Sequence, residues 1–468
     1  MVSRNFTIAT RLEKNEELIA YFEDYITKYN KVYREMWRIM TASDYSEKYA
    51  KPSIFVTKMC QKYNMLKRII NSIRYEIKGR IRALQALKET ELKQLELRIR
   101  KKSEKIESLI EYINRMKSLV RENKVSPKQL AKYQRCKKNL YYQKNKLNKM
   151  KQKYKKLEIQ IDENILKIGF GGKRFFKKQY NLEENGYKTH KKWYHDYVKA
   201  RDKNIFYLGS RDESCGNQMF QLIYQDGTDD FLVKIRKEND YCKSNTKEEK
   251  YLILHHVKFN HLQEQLVKVL KERKQPISFR IHRVKNRWYL QCIFDIRFEE
   301  ENYRTYAQYG VFGLDYNDGF IEMSETDESG NLIHQYHYDL KYHGTGKKAE
   351  NEIRQTISEI VKLAEQKGKD MIIENLDFKK TKAKTTIAKT NKGKNDNRML
   401  HLFDYSRYKE TLKNCCHRHQ VVLQLVSPRN TSKIGKQKYS FKKKLNTHQA
   451  ASYVIARRGQ GFNDRLVV

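Results

Sequence analysis

The sequence predicts a multidomain chain with an all-α N-terminal region, a β-rich middle and an α/β C-terminal domain. Three observations predict this. Only Gly79 precedes Gly169, and the other 18 glycines follow from there; glycine weakens helices and serves turns. Apolar residues recur at steps of three and four through 92–165 and alternate with polar ones across 277–292, which are the helix and strand periods. Beyond residue 310, short apolar runs interleave with helical patterns, as in layered α/β domains.

Composition narrows the function. The 468 residues carry 98 Lys and Arg against 56 Asp and Glu, a formal charge of +42. Ordinary domains rarely exceed about 8 in magnitude, so a long polyanion such as nucleic acid is the economical partner. Aromatics reach 12%, with 33 Tyr, enough to offer stacking surfaces to unpaired bases. The seven Cys form no Cys-x-x-Cys pair, so neither a zinc ribbon nor a redox motif is visible and a reducing cytoplasm is expected. No apolar run of about 18 residues suggests a membrane helix, and Met1-Val2-Ser3-Arg4-Asn5 lacks the apolar core of a signal peptide.

The elements follow in order. Residues 1–12 are expected as a strand and 13–165 as a helical domain. Within the latter, Leu95, Ile99, Ile106, Ile113 and Met116 face Tyr133, Leu140, Leu147, Leu157 and Ile161 across the restart signal Ser126-Pro127. The pattern predicts a long antiparallel helical hairpin. Its Lys- and Arg-rich outer faces are either simply solvated or a phosphate-gripping surface. Residues 166–304 are expected to be largely β, with a helix near 257–272. Phe220–Tyr224 and Phe231–Ile235 flank Asp226-Gly227, and Ile277, Phe279 and Ile281 pair with Trp288, Leu290 and Cys292 beyond Lys285-Asn286, two hairpin patterns. In the second, Arg280 and Arg283 are candidate nucleic-acid contacts.

Residues 305–468 open with three strands, 311–314, 320–326 and 332–336. A helix over 347–367, a strand at 371–373, a second helix, a strand at 421–426 and a helix over 447–459 follow. A meander followed by alternating helices and strands is the order of the RNase H-like fold. The segment 379–398 interrupts it with eight Lys or Arg and one Asp. It is either a plain linker or a basic lid that orders on nucleic acid, with Lys379, Lys380, Lys382 and Lys384 as its candidate contacts.

Asp315 ends one apolar strand and Glu374 another. A buried carboxylate without a partner is costly, whereas two at neighbouring strand ends can hold divalent cations. Two such ions about 3.5–4 Å apart can activate water and stabilise a departing oxyanion in phosphodiester hydrolysis. Strand-end acids also serve as caps or turn formers, so the pattern alone leaves both roles open.

Phe312-Gly313-Leu314-Asp315-Tyr316-Asn317 resembles the first RuvC motif of the TnpB-like transposon proteins and compact type V CRISPR effectors. Ile372-Ile373-Glu374-Asn375-Leu376 resembles their second motif, and Ala450-Ala451 with Ile455-Ala456-Arg457-Arg458-Gly459 the helix of their third. Val426-Ser427-Pro428 with Thr431-Ser432 is similar to the segment that enters their zinc ribbon, and Trp288-Tyr289-Leu290 to a strand of their wedge domain. The resemblance implies that 1–12 and 166–304 form a β-barrel-like wedge domain, that 13–165 is a recognition domain and that 305–468 is a RuvC-like nuclease. It further implies a structured guide RNA, a double-stranded DNA target, and Mg²⁺ (or Mn²⁺) at Asp315, Glu374 and a third ligand.

Two departures bear on that implication. No Cys-x-x-Cys follows Thr431-Ser432, so no zinc is expected. The third motif's usual Asp, seven residues before Ile455, is His448 here. Anchoring instead on Ala450-Ala451 puts Thr447 in that place. His448 is a metal ligand or merely starts the helix, and Asp464, just beyond the helix, is a third option for the missing carboxylate. The function expected is RNA-guided DNA cleavage. The alternatives are a guided binder that does not cut, and a guide-independent nuclease or transposase accessory.

Overall fold

The computed structural model describes residues 2–466 apart from 14, 50, 214, 243–248, 285–286, 299–302, 318, 343–345 and 377–404. The basic segment with Lys379, Lys380, Lys382 and Lys384 lies outside the described residues. The chain divides into two compact units, one of Asn5–Ile296 and one of Met1–Arg4 with Arg297–Val468. Among the described residues no helix is long and apolar enough to cross a membrane.

Strand β1 (Val2–Arg11), which belongs to the first unit from Asn5 onward, leads to helix α1 (Glu16–Met40), which is capped by Asn15 and buries Leu18, Phe22, Tyr25, Tyr29 and Met36. Helix α2 (Pro52–Tyr63) precedes the hairpin of α3 (Lys67–Arg121) and α4 (Pro127–Asp162). The restart is built as the sequence predicts. Ser126 accepts from the Gln129 amide, Gln129 returns a bond to the Ser126 amide, and Pro127 occupies the first turn, where its missing N–H costs nothing. Ile113, Met116 and Tyr133 pack at the closed end of the seam.

The strand-rich reading of 166–304 holds only from Asn204 onward. Before it, Thr189 caps helix α5 (His190–Arg201). This helix buries Trp193 against Phe176 and stacks it on Tyr197. An aromatic pair four residues apart is a helix contact, and it overrides the loop signal of the nearby glycines. The strands β2 (Asn204–Tyr207), β3 (Phe220–Gln225), β4 (Asp230–Arg236), β5 (Tyr251–Val257), β6 (Ser278–Val284) and β7 (Arg287–Phe298) form two sheets with β1, in the orders β1-β7-β6-β2 and β3-β4-β5. Both predicted hairpins are present, with Phe279 opposite Cys292 and Leu222 opposite Val233. Helix α6 (Gln263–Glu272) starts later than expected because β5 continues to Val257.

The second unit is built on one five-stranded sheet. Its strands are β8 (Val311–Asn317), β9 (Phe320–Thr326), β10 (Leu332–Asp339), β11 (Asp370–Glu374) and β12 (Leu423–Val426), in the order β10-β9-β8-β11-β12. Strand β9 is antiparallel to both neighbours, while β8, β11 and β12 run parallel. That order, with only the second strand reversed, is the RNase H-like topology. Helices α7 (Lys347–Lys367) and α8 (Tyr405–His419) cover one face, where Ile357, Ile360 and Leu412 pack on Phe312, Leu314, Met323 and Ile373. Helix α9 (Thr447–Gly459) covers the other, with Ile455 and Ala456 against Val311, Ile372 and Val426.

Gly313 sets how closely α9 approaches. A Cβ there would lie 2.3 Å from both the Ala456 nitrogen and the Ser452 oxygen. Only glycine lets the helix axis come this near the central strand, and that approach brings the start of α9 over the ends of β8 and β11.

Candidate active site

Side chains alternate across a strand, so the packing fixes which face each acid occupies. Phe312 and Leu314 face the α7 and α8 core, whereas Val311 and Gly313 face α9; Asp315 therefore faces α9. On β11, Met371 and Ile373 join the first core and Ile372 the α9 side, so Glu374 also faces α9. Ile373 pairs with Leu314, and the two acids follow one register step later on adjacent parallel strands. The structure thus brings Asp315 and Glu374 together at the carboxyl ends of neighbouring strands.

Their environments differ. The Asp315 carboxylate is 15% exposed and its Oδ2 accepts from Asn317 Nδ2 at 3.0 Å. Glu374 is pushed up to about 7 by burial, opposed by the Thr431 hydroxyl and reinforced by the charge of Asp315. Thr431 Oγ1 donates to Glu374 Oε1, and the Tyr405 hydroxyl donates to the Glu374 carbonyl. Arg458 pulls weakly in the opposite direction, its guanidinium committed to the carbonyls of Ser427 and Arg429.

His448 joins this pair. Asn446 caps α9 by accepting from the His448 and Gln449 amides, which aims the imidazole back at the sheet. His448 Nδ1 lies 3.1 Å from Asp315 Oδ2, and the ring edges onto Phe320 with centroids 5.2 Å apart. The bond to Asp315 raises the pKa of His448 against the opposing effect of burial.

Asp464 stands elsewhere. It accepts from Arg457 Nε at 2.9 Å and from the Tyr439 hydroxyl at 2.8 Å. Arg457 also donates to the Gly330 carbonyl, in the β9–β10 turn. That turn lies at the end of the sheet opposite Asp315, because β9 pairs Asn317 with Phe320 at one end and Phe312 with Glu325 at the other. The structure brings His448 to Asp315 and keeps Asp464 away.

The sequence reading missed Glu322. It sits directly opposite Asp315 in the β8–β9 ladder, with His337 opposite it on β10. It is only 2% exposed. Its Oε1 bonds His337 Nδ1 at 2.9 Å, and His337 Nε2 bonds Asp339 at 3.0 Å. Asp318-Gly319 between the two strands was the available signal, since an Asp-Gly turn predicts a tight hairpin and hence its register. Thr431 was noted only as part of a motif, and its bond to Glu374 gives it a site role.

Arg280 and Arg283, in the first unit, are engaged within it. Arg280 bonds Glu76 at 3.2 Å and lies over the Phe206 ring, and Arg283 lies over Trp288 with its side chain 10% exposed.

The donor set suits a hard divalent cation in part. Asp315 and Glu374 offer carboxylate oxygens, the ligands such ions prefer, and burial raises Glu374, with the charge of Asp315 adding to it. Among the described residues, however, no three His, Cys, Asp or Glu side chains converge on one point.

No protein-family model matches the chain, and no curated protein matches it. Among solved structures the chain is similar to T. thermophilus RuvC in complex with a Holliday junction substrate, with 11% identity over 31% of this chain and 88% of that one, at a TM-score of 0.22. It is similar to a Cas12f1–sgRNA–target DNA complex, with 14% identity over 51% and 69% of the two chains and a TM-score of 0.23. For the Cas12i1 R-loop complex after target DNA cleavage the values are 12%, 87%, 58% and 0.21. The RNase H-like assignment of residues 297–468 rests on their strand order and register.

Proposed function

We propose that the chain is an RNA-guided DNA endonuclease whose cutting site lies on the α9 face of the five-stranded sheet. The observation that carries the reading is the pairing of Asp315 and Glu374 at the carboxyl ends of β8 and β11, with His448 bonded to Asp315. The +42 charge and the motif resemblance support guide RNA and double-stranded DNA as partners. In this reading base pairing with the guide selects the target, and the protein reads a short adjacent duplex motif.

Asp315 and Glu374 would hold Mg²⁺ or Mn²⁺, and His448 would act on or beside Asp315. When bound, the cation supplies an activated water and charge stabilisation for the leaving oxygen. The chain's own contributions are separate. Thr431 fixes one Glu374 oxygen, Asn317 and His448 orient Asp315, and Asn446 holds the α9 terminus that carries His448. The Lys379, Lys380, Lys382 and Lys384 segment would grip the DNA backbone near Glu374. Arg280 and Arg283 would reach phosphate only by exchanging their present partners.

A second reading, a guided binder that does not cut, is favoured by His448 standing where the family's third motif has an acid. One experiment separates them: purify the chain with its co-purifying RNA, sequence that RNA, and offer matching duplex DNA with Mg²⁺ or Mn²⁺. A discrete structured RNA and cleavage at the matched site support the endonuclease. Binding without cleavage selects the second reading, and no discrete RNA removes both.

A further inference from the structure

The row of side chains crossing the sheet at the level of Asp315 continues beyond the two recognised acids. On the α9 face it runs His337, Glu322, Asp315, Glu374 and Val426, over all five strands. Glu322 and Glu374 therefore flank Asp315 on either side, each on the adjacent strand, about 5 Å away in backbone terms. Each flanking acid is one methylene longer than the central one and can reach inward.

Glu322 is held as a ligand would be held. Its Oε1 is fixed by His337, itself fixed by Asp339, so two groups orient one oxygen from behind. Such outer partners characteristically orient ligating carboxylates. Its Oε2 is buried and has no hydrogen-bond partner among the described residues. A buried carboxylate oxygen left unpaired costs free energy. The helix that covers it contributes a histidine at 448 where the third acid was expected, so an oxygen ligand is lacking on that side and available on this one.

We infer that Glu322 is the third carboxylate of the cation site, completing a row of Glu322, Asp315 and Glu374 with Asp315 at its centre. The inference rests on the nuclease reading and adds a ligand to it. As the side chains stand the three do not converge, and binding a cation would need Glu322 to reorient toward Asp315.

The test is calorimetric titration of Mn²⁺ into the full chain stripped of nucleic acid, as wild type, Glu322→Gln and Asp315→Ala. Glu322→Gln is expected to weaken Mn²⁺ binding at least tenfold or to remove one bound ion, with no loss of melting temperature. Unchanged affinity and stoichiometry in Glu322→Gln, beside loss in Asp315→Ala, would overturn the inference and leave the nuclease reading standing. A wild type that binds no Mn²⁺ would overturn both. Should Glu322→Gln fail to fold, Glu322→Asp keeps the charge and shortens the reach. It is expected to bind Mn²⁺ more weakly, and wild-type binding by it overturns the inference.

Discussion

Glu322 and Glu325 stand three residues apart on one strand, both almost fully buried, and they are opposite in kind. Glu325, on the α7 and α8 face, has both oxygens satisfied: Lys369 Nζ at 2.8 Å on one, Lys367 Nζ at 2.6 Å and the Tyr336 hydroxyl at 2.9 Å on the other. Burial alone would raise its pKa, but the two lysines and the tyrosine outweigh it and hold it below the ordinary carboxylate range. Glu322, at the other end of the strand and on the α9 face, has one oxygen on His337 and Asn446 and one without a partner among the described residues. The same fold closes the charge account at the end of the sheet that only supports it and leaves it open at the end where Asp315 and Glu374 meet. An acid that holds a structure together is one whose partners are already present; an acid kept for a ligand is one whose partners are missing.

The contrast can be broken by substitution. Glu325→Ala strands Lys369, whose side chain is 10% exposed, as a buried charge without its partner. It should destabilise the second unit by about 3–5 kcal/mol, seen as an early transition in a thermal melt. A loss below about 1 kcal/mol would mean that solvent reaches the network.

Glu374→Gln should act in the opposite direction. Its carboxyl titrates near 7 in the folded chain against an ordinary 4.5, so the folded state binds more protons than the unfolded one between those values. Stability is lost as pH rises through that window. The neutral variant should therefore gain on the order of 3 kcal/mol at pH 8 and almost nothing at pH 4.5. Melting curves in chelator at the two pH values read this directly, and an equal gain at both would refute the account of burial. Glu322→Gln, the smallest effect, should leave the melting temperature nearly unchanged, because the amide can keep the bond to His337 while replacing an oxygen that has no partner among the described residues. A large loss would place Glu322 among the structural acids beside Glu325.

Much of this was legible beforehand. Asp315 and Glu374 could be read because each ends a run of apolar residues, and helices 347–367 and 447–459 because their periodicity is strong and their ends are marked. The helical hairpin was announced by Ser126-Pro127. Other features depended on register or long-range contact. Helix α5 was hidden among the loop signals around Gly169 and Gly186, its cause being the packing of Trp193 on Tyr197. Glu322 reads as an ordinary polar position in an alternating strand until the hairpin register sets it opposite Asp315. The separation of Asp464 from Asp315 needed the fold, since there Arg457 holds Asp464 toward the far end of the sheet.

The central claim is that the open carboxylates on the α9 face cut DNA under the direction of RNA. The most direct measurement compares wild type and Asp315→Ala, each loaded with its co-purified RNA, for binding and cleavage of a matched duplex with Mg²⁺ or Mn²⁺. The account predicts cleavage by wild type that chelator abolishes, and a loss of at least about 1,000-fold in Asp315→Ala with target binding retained. Wild-type binding without cleavage in either metal, or cleavage by Asp315→Ala at the wild-type rate, would contradict it.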